Sequence, residues 1–178
     1  AQCFLIAALT SVIWVVIGYS LSFSGEGLYI GNLDKFLLKN IKITSLTGEI
    51  PELLFVMFQM TFAIITPALI IGAFVERIKF SAVFLFTLLW VIFVYAPVAH
   101  WVWGNGWLAK KGVLDFAGGT VVHMSAGWAA LAGALYLRRR KSHMESNILP
   151  PANIPYVLLG TGLLWFGWFG FNAGSAVG

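Results

Sequence analysis

The sequence predicts an all-α, polytopic membrane protein with about five transmembrane helices. Of its 178 residues, 60% are apolar and only 10% are charged, whereas soluble domains contain about 25% charged residues. The mean hydropathy is +0.88. Between the charged residues lie five uncharged stretches long enough to cross a membrane as helices, at residues 1–25, 53–75, 80–109, 116–137 and 146–178.

These stretches give the expected order of elements along the chain. We expect spans at about 1–23, 53–75, 80–103, 117–137 and 156–178. The stretches lack the alternating pattern of a membrane barrel, so strands are not expected. The first stretch lacks the basic region and cleavage site of a signal peptide. The chain starts without Met and stops in Gly-rich apolar sequence, so we expect it to be a fragment of a longer protein.

Composition excludes several function classes. A single cysteine, Cys3, excludes a disulfide scaffold, and the Cys and His residues do not cluster as metal ligands do. The net charge of +4 is mild and scattered, so no nucleic-acid partner is expected. A nucleophile–base–acid set and a phosphate loop are both missing from the sequence. We therefore expect neither an enzyme nor a bound cofactor.

The distribution of basic residues predicts the orientation. Alternation of the spans puts two loops on one side of the membrane, at 24–52 and 104–116. The turn 76–79 and the loop 138–155 lie on the other side. The block Arg138–Lys141 directly follows a span, where the positive-inside effect is strongest. We expect this block to be cytoplasmic in a multi-pass protein of the cell membrane, with membrane lipid around it.

Small residues and prolines predict a tight, kinked bundle. Small residues recur at four-residue spacing in the last two spans, at Ser125, Ala129 and Gly133 and at Gly170, Gly174 and Gly178. Such ridges let helices approach closely. Pro67 and Pro97 are expected to kink their spans, because proline removes a backbone hydrogen bond.

Three ionisable residues stand inside or beside the predicted spans. His123 lies within the fourth span, and intramembrane ionisable groups usually face a bundle interior or a water-filled path. A neutral imidazole, hydrogen-bonded in the helix packing, is the alternative. His100 is expected to be structural. Asp115 precedes the fourth span and is suited to cap its free N–H groups, where it also adds negative potential.

Four sequence blocks together are similar to one known family. The blocks are 115–123 (DFAGGTVVH), 72–81 (GAFVERIKFS), 97–104 (PVAHWVWG) and 165–176 (WFGWFGFNAGSA). In order and spacing they resemble the ammonium transporter family (Amt/Mep/Rh), over essentially the whole chain. The resemblance implies an eleven-helix fold with two inverted five-helix halves, of which this chain would supply helices two to six. It also implies a homotrimer, ammonium or ammonia and methylammonium as substrates, and a cytoplasmic signalling protein as a regulatory partner.

The resemblance also assigns roles to residues. Phe62, Trp103 and Ser175 match the outer recruitment site for ammonium, and Phe62 with Phe171 matches the ring pair that blocks the pore. His123 matches the first of two pore histidines. The resemblance gives Asp115 the role of the acid near the recruitment site. Neighbouring aromatic residues on the same helix faces are expected to support the site and line the pore, at Phe58 and Trp168.

Elementary physics is compatible with these roles. A cation over aromatic faces gains about 0.5–2 kcal/mol, and the Ser175 hydroxyl can accept one N–H. A bare cation in hydrocarbon would cost tens of kcal/mol on the Born estimate. A narrow apolar pore therefore favours loss of the proton before neutral ammonia crosses along His123.

Three alternatives remain open from the sequence. A membrane redox subunit would use His100 and His123 as haem ligands, but their expected depths in the membrane differ. An ammonium sensor would have the same fold joined to a signalling domain. A gas channel of the Rh type is disfavoured by Trp103 and Ser175, which are typical of the Amt/Mep branch.

Overall fold

The computed structural model describes residues 2–140 and 151–176. Five long helices account for most of this part of the chain: α1 (Gln2–Phe23), α2 (Glu52–Ala73), α3 (Phe80–Lys110), α4 (Gly119–Leu137) and α5 (Ile154–Gly174). Each is long and apolar enough to cross a membrane, which confirms the predicted all-α, polytopic class. The predicted residues Lys141 and Gly178 lie outside the described ranges.

The loop between α1 and α2 contains the remaining short elements. A 3₁₀ turn spans Phe36–Leu38. Strand β1 (Leu46–Thr47) then pairs antiparallel with β2 (Ile50–Pro51), directly before α2 begins. This short hairpin, with two residues in each strand, ends the loop directly before α2.

The core lies where α1, α2 and α3 meet. Trp14, Tyr19, Phe62 and Tyr95 are among the largest side chains that are fully buried there. The Trp14 indole packs edge-on against Tyr19 and Tyr95 and donates a 3.0 Å hydrogen bond to the Val56 carbonyl oxygen. Buried indole N–H groups usually find such a partner, and this one ties α1 to α2.

Three of the helices contain a π-helical stretch. These stretches are Trp14–Gly18 in α1, Val91–Tyr95 in α3 and Gly119–Met124 in α4. The stretch in α3 ends just before Pro97, whose missing N–H breaks the regular hydrogen-bond ladder. The irregularity predicted at Pro97 therefore takes the form of a wider helical turn. Pro67, by contrast, lies inside the regular α-helical part of α2.

A small polar network fixes the long loop at one end of the bundle. The Tyr19 hydroxyl donates to the buried Glu52 carboxylate at 2.9 Å, and Lys35 Nζ forms an ion pair with the same oxygen at 2.6 Å. The loop also meets the end of α3, where the backbone N–H of Trp107 donates to the Leu28 carbonyl oxygen at 3.0 Å. The loops before α2 and after α3 thus lie at the same end of the bundle.

Arginines join the two connections at the opposite end. Arg77 Nη1 donates to the Arg138 carbonyl oxygen at 2.6 Å. Arg140 pairs with Glu76 at 3.0 Å and also donates to the Val75 carbonyl oxygen. The turn after α2 and the segment after α4 therefore share an end, as the alternation of spans requires.

The small residues of α4 and α5 differ in their contacts. A Cβ atom at Gly133 would lie 1.9 Å from Cε1 of Phe74, so the Phe74 ring, in the turn directly after α2, packs on α4 in space that only glycine leaves open. Gly174 lies against Phe58, whose ring would be 3.3 Å from an added Cβ, while Gly170 faces open space. Most α5 side chains are exposed, and its contacts with the rest of the described chain gather near Phe171 and Ser175.

The orientation can be tested by cysteine labelling in intact cells, with the native Cys3 replaced by serine. We expect Thr44→Cys to react with an impermeant maleimide from outside, because Thr44 is exposed in the loop before α2. Arg139→Cys, exposed at the opposite end, should react only after permeabilisation. Labelling of both positions from the same side would contradict the topology, and labelling of Arg139→Cys alone from outside would invert it.

Candidate functional site

The Asp115 carboxylate organises the start of α4. Its Oδ1 accepts the backbone N–H groups of Gly118 at 2.7 Å and Gly119 at 2.8 Å. Its Oδ2 accepts those of Thr120 at 2.7 Å and Val121 at 2.9 Å. Helix N-termini leave about four N–H groups without an internal partner. One side chain satisfies four such groups here, in the capping role that the sequence predicts for it.

The local sequence allows this tight turn because Gly118 precedes the helix. Gly118 has a φ of +92°, and a Cβ atom there would lie 2.5 Å from Cγ2 of Val122. A side chain at this position would be both strained and obstructed. The Gly118 carbonyl oxygen then accepts the N–H of His123 at 2.9 Å. This wide turn lies directly before His123, which lines the cavity between α4 and α5.

Asp115 also fixes the Trp103 indole. Trp103 Nε1 donates to the Asp115 carbonyl oxygen at 2.6 Å. The ring of Phe62 packs edge-on against the indole, with centroids 5.3 Å apart and planes at 75°. The position of Trp103 is therefore set from one side by the loop before α4 and from the other by α2.

A recess of about 180 Å³ opens beside this indole. It brings together two of the three residues predicted for a cation site, Trp103 and Ser175. The third, Phe62, is only 1% exposed and packs beneath Trp103, outside the lining. Phe58, on the same face of α2, takes part in the lining instead. The full lining consists of Phe55, Phe58, Gln59, Trp103, Asp115, Phe116 and Ser175.

Ser175 presents its lone pairs in this recess. The Ser175 hydroxyl donates to the Phe171 carbonyl oxygen at 2.7 Å, so its proton is already committed to the helix. A hydroxyl oxygen retains two acceptor positions when its proton is donated. The residue is 7% exposed. The site thus combines aromatic surfaces, one hydroxyl acceptor and a nearby carboxylate.

Two stacked phenyl rings lie below the recess. The centroids of Phe62 and Phe171 are 3.9 Å apart, with the planes tilted by 33°. Phe58 packs edge-on against Phe62 at 5.0 Å. Phe62 touches Trp103 on the recess side, and Phe171 lines the next cavity. The ring pair therefore lies between the Trp103 indole of the recess and the lining of that cavity.

The next cavity has a volume of about 510 Å³ and lies between α2, α4 and α5. Its lining is almost entirely apolar, and His123 is the ionisable residue in it. Trp168, the other residue predicted to line a pathway, is also present. The lining residues are Phe58, Thr61, Ile65, Leu69, Val122, His123, Leu163, Leu164, Gly167, Trp168, Gly170 and Phe171.

His100 has a different environment. It is fully buried, and its two ring nitrogens lie 3.0 Å from the Ser22 carbonyl oxygen and 2.7 Å from that of Gly27. Both nitrogens thus face backbone carbonyl oxygens, one in the last turn of α1 and one in the loop that follows. Since neither is free to bind an iron atom, this geometry does not fit a haem held by His100 and His123.

Gln59 is a recess residue that the sequence pattern did not predict. It is 6% exposed and lines the recess beside Trp103 and Ser175. It is the one amide in the uncharged stretch 53–75. A polar amide in hydrocarbon is costly unless it has a partner, and this isolated polar residue was the available signal.

Comparison with known proteins adds independent information. The model of the Ammonium Transporter Family matches residues 1–178. An ammonium transporter of Aquifex aeolicus is 56% identical over 181 residues, covering 100% of this chain and 42% of that protein. Ammonium transporter Amt1 of Archaeoglobus fulgidus is 50% identical over 179 residues, covering 99% of this chain and 44% of that protein. The chain spans about four tenths of the length of these relatives.

Solved structures agree with the sequence matches. The crystal structure of Saccharomyces cerevisiae Mep2 superimposes with a TM-score of 0.84 at 39% identity, covering 98% of this chain and 41% of that one. The crystal structure of Candida albicans Mep2 gives a TM-score of 0.83 at 37% identity, covering 97% and 39%. The likeness thus extends over nearly the whole of this chain.

The capping role of Asp115 predicts a graded loss of stability. Asp115→Ala leaves four N–H groups without their acceptor and should lower the free energy of unfolding by about 2 kcal/mol. Asp115→Asn keeps one acceptor oxygen, so its loss should be smaller. The midpoint of thermal unfolding in detergent measures both. Glu49→Gln, a change of an exposed carboxylate in the loop before α2, is the matched control. Equal midpoints for all three variants would contradict the capping role.

Proposed function

The chain belongs to the ammonium transporter family, and on that premise we propose that it forms part of a transmembrane route for ammonium or ammonia. The observation that most supports this is the order in which three features follow one another along the helix bundle. The recess beside Trp103 comes first, the stacked rings of Phe62 and Phe171 follow, and the apolar cavity with His123 comes last. Relatives named ammonium transporters support the same substrate.

Recruitment of the cation begins in the recess. An ammonium ion there meets the faces of Trp103 and Phe58, and cation–π attraction supplies about 0.5–2 kcal/mol. The Ser175 oxygen accepts one of its N–H groups. The Asp115 carboxylate is saturated by four N–H donors, so it attracts the cation through its charge rather than as a direct ligand. Phe62 holds the indole from beneath.

Deprotonation precedes passage through the rings: the ammonium ion gives one proton to water at the recess, and neutral ammonia goes on. The cavity below them is lined almost wholly by apolar side chains, and an isolated ion in such surroundings is strongly disfavoured. Neutral ammonia has no such penalty and can exchange hydrogen bonds with the His123 imidazole, which both donates and accepts when neutral. On this route Phe62 and Phe171 act as the gate, and His123 with Trp168 lines the pore. Methylammonium follows the same path.

The setting of this route completes the proposal. The protein is a multi-pass membrane protein, and we place it in the cell membrane with the Arg138–Lys141 block in the cytoplasm, following the positive-inside rule. We also propose a homotrimer surrounded by lipid, with a cytoplasmic signalling protein as regulatory partner. The family resemblance supports these assignments.

The recruitment step is tested by Trp103→Leu in the full-length protein. Loss of the indole face should weaken apparent affinity for methylammonium by up to about thirtyfold, since cation–π attraction in a desolvated site reaches about 2 kcal/mol. Preference for ammonium over neutral solutes should fall as well. Concentration-dependent uptake of labelled methylammonium measures both. Trp128→Leu, which removes an exposed indole from α4, is the matched control, and an unchanged profile in Trp103→Leu would refute the assignment.

The conduction step is tested at His123. His123→Ala should reduce methylammonium uptake because the cavity loses its hydrogen-bonding imidazole. His123→Asp should also admit ions, because a fixed negative charge stabilises cations in the apolar cavity. Uptake and membrane current are measured together in the full-length variants.

Two controls make the His123 experiment decisive. Trimer assembly must be retained in both variants, and His143→Ala changes another histidine, in the basic segment that follows α4 in the sequence. Normal uptake, selectivity and current in both His123 variants would show that the residue only packs, and the proposed route would then have to be abandoned.

A further inference from the structure

Gln59 is an unexplained polar side chain beside the recess. Its Oε1 atom is buried without a hydrogen-bond partner in the described part of the chain, and the residue as a whole is 6% exposed. Buried polar groups are nearly always hydrogen-bonded, so such an exception asks for an explanation. Neither packing nor helix capping uses this amide, because it lies well inside α2.

Its surroundings point to a ligand rather than to a structural partner. Gln59 shares the recess with Trp103, Ser175 and Phe58. The Ser175 proton is committed to the Phe171 carbonyl oxygen, and the Asp115 carboxylate is occupied by backbone N–H groups. Beside the Ser175 oxygen, the Gln59 amide is therefore a second polar lining group whose hydrogen-bonding capacity is not used within the described part of the chain.

We propose that the Gln59 amide oxygen is a second hydrogen-bond acceptor for the cation in the recess, and that it favours ammonium over methylammonium. The inference rests on the proposed function of the recess. The two orientations of a glutamine amide are nearly isosteric, so rotation of the amide by 180° turns Oε1 toward the recess. The amide NH₂ group then takes the buried position that Oε1 occupied without a partner. The cation then gains a charge-assisted hydrogen bond, which is about twice as strong as a neutral one.

The number of N–H groups in each ion predicts the selectivity for ammonium over methylammonium. Ammonium has four N–H groups, and methylammonium has three and a methyl group. Aromatic faces can receive the methyl group or N–H groups alike, but a carbonyl oxygen can receive only N–H. A second acceptor therefore benefits the ion with more donors, whereas aromatic surfaces alone discriminate little between the two ions.

The test is Gln59→Leu in the full-length protein, with Gln59→Glu as the conservative variant. Leucine has a similar volume and no acceptor. We expect the inhibition constant of ammonium against labelled methylammonium uptake to rise about tenfold, the effect of one hydrogen bond to a charged group. The KM for methylammonium should rise less, and the maximal rate should stay within about twofold of the wild type. Gln59→Glu restores an oxygen and should recover the ammonium preference.

Thr10→Val is the matched control. Thr10 also holds a buried oxygen without a partner, but it lies on α1 and does not line the recess. Neither Thr10→Val nor Gln59→Leu should lower the thermal midpoint, since each removes an unpartnered polar group from an apolar site. Thr10→Val should leave both constants unchanged.

The outcomes separate this inference from the proposed function. An unchanged ammonium constant in Gln59→Leu, with Trp103→Leu impaired as expected, overturns the inference alone. A fall in maximal rate at unchanged constants, or an equal change in Thr10→Val, assigns Gln59 a structural role and also overturns it. If the wild-type protein takes up no methylammonium and ammonium does not compete, the proposed function fails and this inference fails with it.

Discussion

The four backbone hydrogen bonds accepted by the Asp115 carboxylate are the constraint on which the site depends. They begin α4 in a π-helical turn, and that turn sets the position of His123. The carbonyl oxygen of the same residue holds the Trp103 indole. One aspartate therefore couples the geometry of the recess to the geometry of the cavity below. Removing its charge would disturb both, so a loss of the proposed transport in such a variant would have two sources that only a stability measurement separates.

Helix α2 supplies the second half of this arrangement. Phe58 lines both the recess and the lower cavity, and Phe62 lies between Trp103 and Phe171. Because these residues are spaced one turn apart, they share one helix face. The opposite faces of α2 pack on α1 and α4, where Trp14 and Gly133 fix the distances. Phe58 and Phe62 are thus held by packed helices rather than by loops.

The sequence predicted the helices well because charge is expensive in hydrocarbon, so uncharged stretches mark the spans directly. It also predicted that Asp115 caps the next helix, since that role depends on residues close in the chain. The π-helical stretches were not predicted, because no local periodicity distinguishes them from regular helix. The contact of His100 with Gly27 was not predicted either, because it joins residues far apart in the chain. The position of Gln59 in the recess was missed because the sequence shows only that the residue is polar, and not which way it faces. Phe62 was predicted at the recess surface, but the structure places it beneath Trp103, a difference in depth that spacing along one helix does not reveal.

The contact between Phe62 and Phe171 would limit the rate of passage as well as the width of the route. With centroids 3.9 Å apart, the two rings leave no gap for even a small molecule. On the proposed route, each crossing must await a moment when thermal motion swings one ring aside. The turnover of a single pore would then be limited by how often the rings part, and not by the supply of substrate. Such a pore would show a steep temperature dependence, and enlarging the gap by substitution would increase throughput at the expense of selectivity.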